Sequence, residues 1–246
     1  YRPNIKWKTL MLNFVKKKYT RFLSSSKILK INFIFHKYFG EKDIGEIGFS
    51  FKDKPNRYQI IQEIILKKQY KTYLEIGCFA GEVFNKIKIE KKIGVDPVSG
   101  GTIRKTSDEF FKNNQEKFDC IFIDGLHEFH QVKRDINNSI KYLNNDGIIL
   151  LHDCLPNNVY DQAMPRCQYN WNGDVWKAIV ECRTRNDIDV YTCYADHGIG
   201  VIFNRKNSDR LNLNMDDFSK LSFKDYFDNH KKFMKIITYD ELLKKI

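Results

Sequence analysis

The sequence predicts an α/β protein, a seven-stranded, mostly parallel sheet with helices on both faces and an antiparallel hairpin near its C-terminal end. Three observations carry this expectation. From about residue 55, short apolar runs alternate with stretches of helical periodicity, the signature of parallel strands buried on both faces. Several of these runs end in a glycine or an acid. The last two runs are separated only by Ala195-Asp196-His197-Gly198, which fits a hairpin.

Each element follows from local pattern. Residues 56–68 have helical periodicity, and 72–77 (TYLEIG) is a short strand ending in glycine. A helix is expected over 82–89 and a strand over 92–96 (KIGVD). A weak strand near 102–106 precedes a helix over 108–114, and 118–124 (FDCIFID) is the strongest strand. A helix over 127–143 closes on an Asn-Asn-Asp-Gly turn, and 147–151 (GIILL) is the next strand, ending in His152-Asp153. After a loop of about twenty residues come a helix over 174–185 and strands over 188–194 and 199–204. The tail, 209–246, reads as further helix through Phe223, Tyr226, Phe227 and His230.

The chain has 246 residues, 42% of them hydrophobic and 14% aromatic, enough for a buried core. No uncharged apolar run reaches the roughly 18 residues a spanning helix needs. The six cysteines (78, 120, 154, 167, 182 and 193) form no Cys-x-x-Cys pair, so a reduced intracellular protein without structural zinc is expected, with Cys78 and Cys120 as buried thiols. The sequence opens on Tyr1 rather than Met, and no signal peptide is visible in it.

The net charge of +11 is not spread evenly. Residues 1–40 hold ten Lys/Arg and no acid, leaving 32 basic and 31 acidic side chains in the rest. The basicity therefore belongs to an arm, and the near-neutral remainder argues against a nucleic-acid partner. Trp7, Leu10, Met11, Phe14, Val15, Tyr19 and Phe22 fall at helical spacing within that arm. A basic amphipathic helix suits an anionic membrane surface, the protein's own core or a second subunit. Three regions result: the arm 1–40, a domain 41–204 and a C-terminal helical tail 205–246.

Sheets of this kind bind ligands at the carboxyl ends of their strands. The first strand runs into Glu75-Ile76-Gly77-Cys78-Phe79-Ala80-Gly81, where two glycines allow a tight turn and close backbone approach. Asp96 ends the second strand, where an acid can accept both hydroxyls of a ribose. The loop lacks the Gly-x-Gly-x-x-Gly of dinucleotide sites and suits a ligand with a ribose and a carboxylate but no pyrophosphate.

On these residues the chain resembles the class I S-adenosylmethionine-dependent methyltransferases, whose fold is Rossmann-like with such a closing hairpin. The resemblance implies that Glu75, Gly77, Cys78, Phe79 and Gly81 line the methionine part of the cofactor, that Asp96 holds the ribose, and that Ser107 and Asp108 lie near the adenine. Asp124 would border both cofactor and substrate.

Asp124 and the pair His152-Asp153 end two strands expected to be neighbours, whose carboxyl ends would be about 5 Å apart. Two carboxylates and an imidazole suit a divalent metal, with the nitrogen ligand favouring Fe2+ or Mn2+ over Mg2+. The alternative is that His152 and Asp153 only cap the strand end. His127, three residues past Asp124, can face the same crevice and take a proton from a substrate hydroxyl. His-Glu-Phe-His (127–130) is one residue short of the zinc-protease spacing.

Ile-Asp-Gly-Leu-His, His-Asp and Gly173-Asp174-Val175-Trp176-Lys177 resemble the metal-dependent sugar O-methyltransferases of the macrocin and mycinamicin type and relatives from bacterial surface-polysaccharide genes. That resemblance implies metal ligands Asp124, His152 and Asp153 and the base His127, with His152 replacing a carboxylate of the macrolide enzymes. In the loop before the next helix, Arg166, Trp171 and Asp174 suit a sugar, whereas Trp176 fits helix packing equally well.

The expected activity is methyl transfer from S-adenosylmethionine to a hydroxyl of a nucleotide-linked, heptose-like sugar for capsule or lipopolysaccharide. The expected location is the cytoplasm, with the arm touching the inner membrane face or another copy in a homo-oligomer. The rivals are a catechol-type O-methyltransferase and a non-catalytic membrane-docked protein of the same fold. An amino-methylating nucleic-acid enzyme would carry Asn-Pro-Pro-Tyr, which is absent.

Overall fold

The computed structural model describes residues 25–207 and 209–246. The periodic stretch Trp7 to Phe22 lies outside them. The elements are α1 (Ser25–Phe39), α2 (Arg57–Lys68), β1 (Thr72–Ile76), β2 (Lys91–Val95), α3 (Ser107–Asn113), β3 (Phe118–Ile123), α4 (Phe129–Lys141) and β4 (Leu143–Leu151). They continue with α5 (Val175–Arg183), β5 (Asp189–Cys193), β6 (Ile199–Phe203), α6 (Phe223–Met234), β7 (Ile236–Ile237) and α7 (Tyr239–Lys245). No helix among the described residues is long and apolar enough to cross a membrane.

The seven strands form one sheet in the order β2-β1-β3-β4-β6-β5-β7. β1 pairs in parallel with β2 and β3, and β3 with β4. β6 is antiparallel to both β4 and β5, as the short connector predicted. The chain order reverses at β1, so the crevice at its carboxyl end, between β2 and β3, is where an open α/β sheet binds ligands.

Side chains alternate between the two faces. Leu74, Ile121, Ile123 and Ile149 join one core with α4, α5 and α6, through Val132, Trp176 and Tyr226. Tyr73, Cys120, Phe122 and Ile148 join the other with α2, which contributes Ile60, Ile61, Ile64 and Ile65. Trp176 is fully buried and tilts against Tyr226 at 4.7 Å, so packing is its role. All six cysteines are buried and free.

Capping fixes the helix starts. Asn56, Thr106, Ser222 and Thr238 each form a reciprocal capping box with the residue three places on.

Three elements differ from the sequence reading. The helix expected over 82–89 is a run of turns, with only isolated bonds such as Asn85 N–H to Gly81 O. The Lys92 ammonium donates to the carbonyls of Phe84 and Ile87 at 2.7 and 2.9 Å, taking acceptors a helix would use. The strand near 102–106 shrinks to one bridge, Val95 to Ile103, because Gly100 and Gly101 turn the chain with positive φ and Arg104 bends back to the Asp96 and Gly100 carbonyls. The seventh strand is instead β7, from the tail, parallel to β5. The tail thus extends the sheet, and α6 buries Phe223, Tyr226, Phe233 and Met234.

Asp135, on the inner side of α4, is 1% exposed. Burial pushes its pKa up to about 6, against hydrogen bonds from Ser107 and Gln131. A raised folded-state pKa means stability is fully present below the unfolded value near 4 and falls as pH rises to about 6. Asp135→Asn keeps an acceptor for Gln131 without the charge. It should flatten the pH dependence of urea unfolding between about pH 4 and 6 and stabilise by up to about 3 kcal/mol at pH 7.5.

Candidate active site

The end of β1 approaches the end of β3 so closely that only glycine fits between them. A Cβ at Gly77, where φ is +85°, would lie 2.3 Å from the Asp124 carbonyl oxygen. The Gly77 loop and Asp124 are therefore parts of one edge. Glu75, 1% exposed, accepts a hydrogen bond from the Tyr73 hydroxyl at 2.6 Å. Burial pushes its pKa up to about 7, with the Tyr73 bond pulling the other way. Cys78 is buried, whereas Phe79 is 76% exposed with φ +45°.

Asp96 ends β2 as expected but is already engaged. Its Oδ2 accepts the Phe79 N–H at 2.9 Å, and its Oδ1 accepts those of Val98 and Ser99 at 2.7 and 2.9 Å. Burial alone would raise its pKa, and these backbone donors bring it below the usual value. The carboxylate ties the Gly77 loop to the turn after β2. Ser107 and Asp108 open α3 and share Gln131 of α4, whose amide lies 3.1 and 3.3 Å from their side chains. The 82–89 turns offer no regular helix N-terminus for an anion.

A four-residue cluster forms at the ends of β3 and β4. His152 Nδ1 is 3.3 Å from Asp124 Oδ1 and 3.0 Å from Asp153 Oδ2. His127 places Nε2 3.3 Å from Asp124 Oδ1 and Nδ1 3.3 Å from Asp153 Oδ2. One ligand atom each from Asp124, His152 and Asp153 lies within 4.8 Å of the others. Asp153 has φ +61°, a left-handed backbone that turns the chain sharply after the strand.

The cluster is electrostatically coupled. Burial disfavours charge at Asp124, His127 and His152, and the mutual attraction overrides it. His152 is raised well above the ordinary imidazole value by Asp124 and Asp153, and His127 is raised by the same pair. Asp124 is held far below the carboxylate range, chiefly by His152.

Two further residues, missed in the sequence, complete the surroundings. Arg57, the first residue of α2, lies with Nε 3.5 Å from Asp124 Oδ2 and Nη1 3.1 Å from His152 Nε2. Asp196, in the β5–β6 turn, lies with Oδ1 3.4 Å from His152 Nε2 and from Arg57 Nη1. Burial would raise the Asp196 pKa, but His152 and Arg57 bring it down to about 2. Neither had a local signal, since arginine opening a helix and aspartate in a turn are ordinary.

The donor set fits a divalent cation. Two carboxylates and an imidazole converge, and the neighbouring His127 Nδ1 is buried without a hydrogen-bond partner among the described residues.

The loop between β4 and α5 splits the expected sugar contacts. Trp171 stacks on the His127 ring at 5.2 Å and 15°, and its Nε1–H donates to the Ala163 carbonyl. Arg166 is exposed, with its guanidinium 5.7 Å from the Trp171 ring centre. Asp174 does not present a free carboxylate. Its Oδ1 accepts the Phe129 N–H at 2.6 Å, capping α4 where Glu128 makes no side-chain cap, and its Oδ2 lies 3.5 Å from Lys177 Nζ. It serves the backbone that carries His127.

Residues 81–154 match the sequence profile described as a methyltransferase domain. That match takes in the ends of β3 and β4 that carry the cluster. No protein of curated function matches the sequence.

Solved structures resemble it at low identity. A methyltransferase from Podospora anserina bound to S-adenosylhomocysteine is 15% identical, with 85% of this chain and 98% of that chain covered and a TM-score of 0.47. The O-methyltransferase TomG from Streptomyces achromogenes, with S-adenosylmethionine, is 10% identical over 83% of this chain and 100% of that one, TM-score 0.45. MycE of the mycinamycin pathway, in complex with Mg, S-adenosylhomocysteine and mycinamycin VI, is 13% identical over 61% of this chain and 48% of that one, TM-score 0.41. At these values the likeness by itself assigns no substrate or metal.

Gly77→Ala tests the joined edge. The positive φ and the Asp124 carbonyl in the Cβ position should together cost about 1–3 kcal/mol in urea unfolding.

Proposed function

We propose that the protein is a metal-dependent O-methyltransferase that moves the methyl group of S-adenosylmethionine to a sugar hydroxyl. Its substrate in this reading is a nucleotide-linked, heptose-like sugar destined for bacterial capsule or lipopolysaccharide. The observation that carries it is the meeting of Asp124, His127, His152 and Asp153 on the edge that also holds the Gly77 loop. The sugar itself rests on the sequence resemblance.

The residue roles in this reading are those the sequence resemblance implies. Glu75, Gly77, Cys78, Phe79 and Gly81 form the floor for the cofactor, with Asp96 beside the ribose and Ser107 and Asp108 toward the adenine. Asp96 still has acceptor capacity on Oδ2, which takes one backbone bond. When bound by Asp124, His152 and Asp153, a divalent cation supplies Lewis acidity and a fixed direction to a substrate hydroxyl. With the cation's charge in place of the imidazole protons, neutral His127 accepts the hydroxyl proton, and Trp171 stacked on its ring keeps water from that face. Arg166 and Trp171 offer a guanidinium and an aromatic edge to a sugar, while Asp174 acts through the α4 backbone.

The same reading puts the enzyme in the cytoplasm. The arm is its contact with the inner membrane face or a second copy. In α1, Ile31, Ile34 and Tyr38 are 50%, 56% and 70% exposed and lie among Lys27, Lys30 and Lys37.

Labelled methyl transfer from S-adenosylmethionine into a panel of nucleotide-linked sugars tests the reading. Transfer should stop with a chelator and return best with Fe2+ or Mn2+. Transfer indifferent to chelation would remove the cation from the reading, and transfer only to catechols would replace the sugar.

His127→Ala should lower kcat by roughly 10²–10⁴-fold, with the Kd for S-adenosylhomocysteine unchanged within about twofold, on the order of 0.4 kcal/mol. Retained turnover would assign the proton to another group.

A further inference from the structure

We propose that Asp196 and Arg57 are positioning residues of the candidate metal centre: Asp196 takes the Nε2 hydrogen of His152, so that Nδ1 is the atom presented to the cation. This rests on the metal-dependent reading above and adds to it which nitrogen binds and what fixes it.

The ring of His152 is 6% exposed and meets carboxylates at both ends. Nδ1 faces Asp124 Oδ1 and Asp153 Oδ2 at 3.3 and 3.0 Å, the two other members of the ligand set. Nε2 points the other way, 3.4 Å from Asp196 Oδ1. A ligating imidazole must offer a lone pair, and a neutral ring then carries its hydrogen on the other nitrogen. With Nδ1 toward the cation, the hydrogen is on Nε2, and Asp196 is the acceptor in reach. A carboxylate there holds the ring orientation and strengthens the nitrogen as a donor to the metal.

Asp196 is itself fixed from two sides. Its Oδ2 accepts the backbone N–H of Arg57 at 2.5 Å, at the start of α2, and Arg57 Nη1 lies 3.4 Å from both of its oxygens. Arg57 Nη1 also lies 3.1 Å from His152 Nε2, nearer than Asp196 Oδ1; a guanidinium only donates, so a hydrogen on Nε2 requires Nη1 to give its own hydrogens to Asp196, whose oxygens are both 3.4 Å from it. The guanidinium also lies near Asp124, with Nε 3.5 Å from Oδ2, and so touches the ligand set on a second side.

The turn that carries Asp196 is unusual in its backbone. Asp196, His197 and Gly198 have φ of +39°, +60° and +89° in succession. Left-handed backbone at two non-glycine residues costs free energy and persists where surrounding contacts enforce it. Those contacts run to the chain just past Asp153: Cys154 N–H donates to Gly198 O at 3.0 Å and Leu155 N–H to His197 O at 2.8 Å. A Cβ at Gly198 would meet Leu155 Cγ at 2.4 Å. The turn is thus clamped to the ligand-bearing segment, and its strain places one carboxylate behind His152.

The experiment titrates the full chain with Mn2+ alone, reading affinity by calorimetry and the directly bonded nitrogen by electron spin-echo spectroscopy. Wild type should bind Mn2+ with a nitrogen coupling that His152→Gln removes. Asp196→Asn should bind roughly 10–100-fold more weakly, the usual effect of losing such an outer partner, with the nitrogen coupling reduced or altered. Asp196 also meets the start of α2, so near-ultraviolet circular dichroism checks the fold. If Asp196→Asn is unfolded, Arg57→Lys, which keeps the charge and the backbone N–H but loses the guanidinium contact to both Asp196 oxygens, should weaken Mn2+ binding at least roughly threefold by the same argument. Folded Asp196→Asn, or Arg57→Lys in its place, matching wild type in both affinity and coupling overturns the positioning role and leaves the metal reading standing. A wild type that takes up no Mn2+ overturns the metal reading and this inference with it.

Discussion

Three carboxylates, those of Asp124, Asp153 and Asp196, surround one buried imidazole, and the rest of the site depends on how that charge is balanced. Three anions in a poorly solvated pocket would repel one another by several kcal/mol without compensation. The protein supplies cations from three directions: His152 at the centre, His127 from the start of α4 and Arg57 from the start of α2. The raised imidazoles and lowered carboxylates are two sides of this one balance. It also explains why a cation suits the place, since an ion bound there exchanges imidazole protons for a stronger positive charge.

Holding that cluster takes more backbone than its members supply. Asp174 caps α4 and its N–H bonds the His127 carbonyl, while a Cβ at Gly173 would fall 1.9 Å from the His127 carbonyl oxygen. Asp161, 1% exposed, accepts from the N–H groups of Asn157 and Asn158 and from Gln168 and Asn170. Its carbonyl takes the Asn172 and Gly173 N–H groups. The loop over the sheet edge is thus organised around a buried carboxylate of its own. That order lets Trp171 lie flat on His127.

Much of this was legible in the sequence because parallel strands announce their ends. An apolar run stopped by Asp124, another stopped by His152-Asp153, and a glycine turn after the first strand locate the crevice without any long-range contact. Glycine at 77 and 173 marks places where the backbone comes too close for a side chain. What stayed hidden depends on pairings between distant segments. Arg57 reaches Asp196 across 139 residues, and no local pattern records that. β7 has two residues, too few for periodicity, and acquires its identity only beside β5. The helix expected over 82–89 had the right period but met Lys92, whose ammonium claims its carbonyls. Asp174 had the right chemistry for a sugar, yet an unfilled cap on α4 claimed its carboxylate first.

The charge map divides labour in a way the composition alone conceals. The arm supplies most of the net charge, yet among the described residues the site draws its fixed cation from Arg57, in the nearly neutral remainder. α1 nevertheless bears on the site through packing. Its Asn32 side chain donates to the Arg166 carbonyl, its His36 ring meets the Pro165 carbonyl at 2.9 Å, and Phe33 packs on Tyr160 at 4.8 Å. All three contacts fall on the loop whose Trp171 covers His127. The helix is therefore packed on the loop that carries Trp171, and its exposed Ile31, Ile34 and Tyr38 lie on a segment joined to that loop.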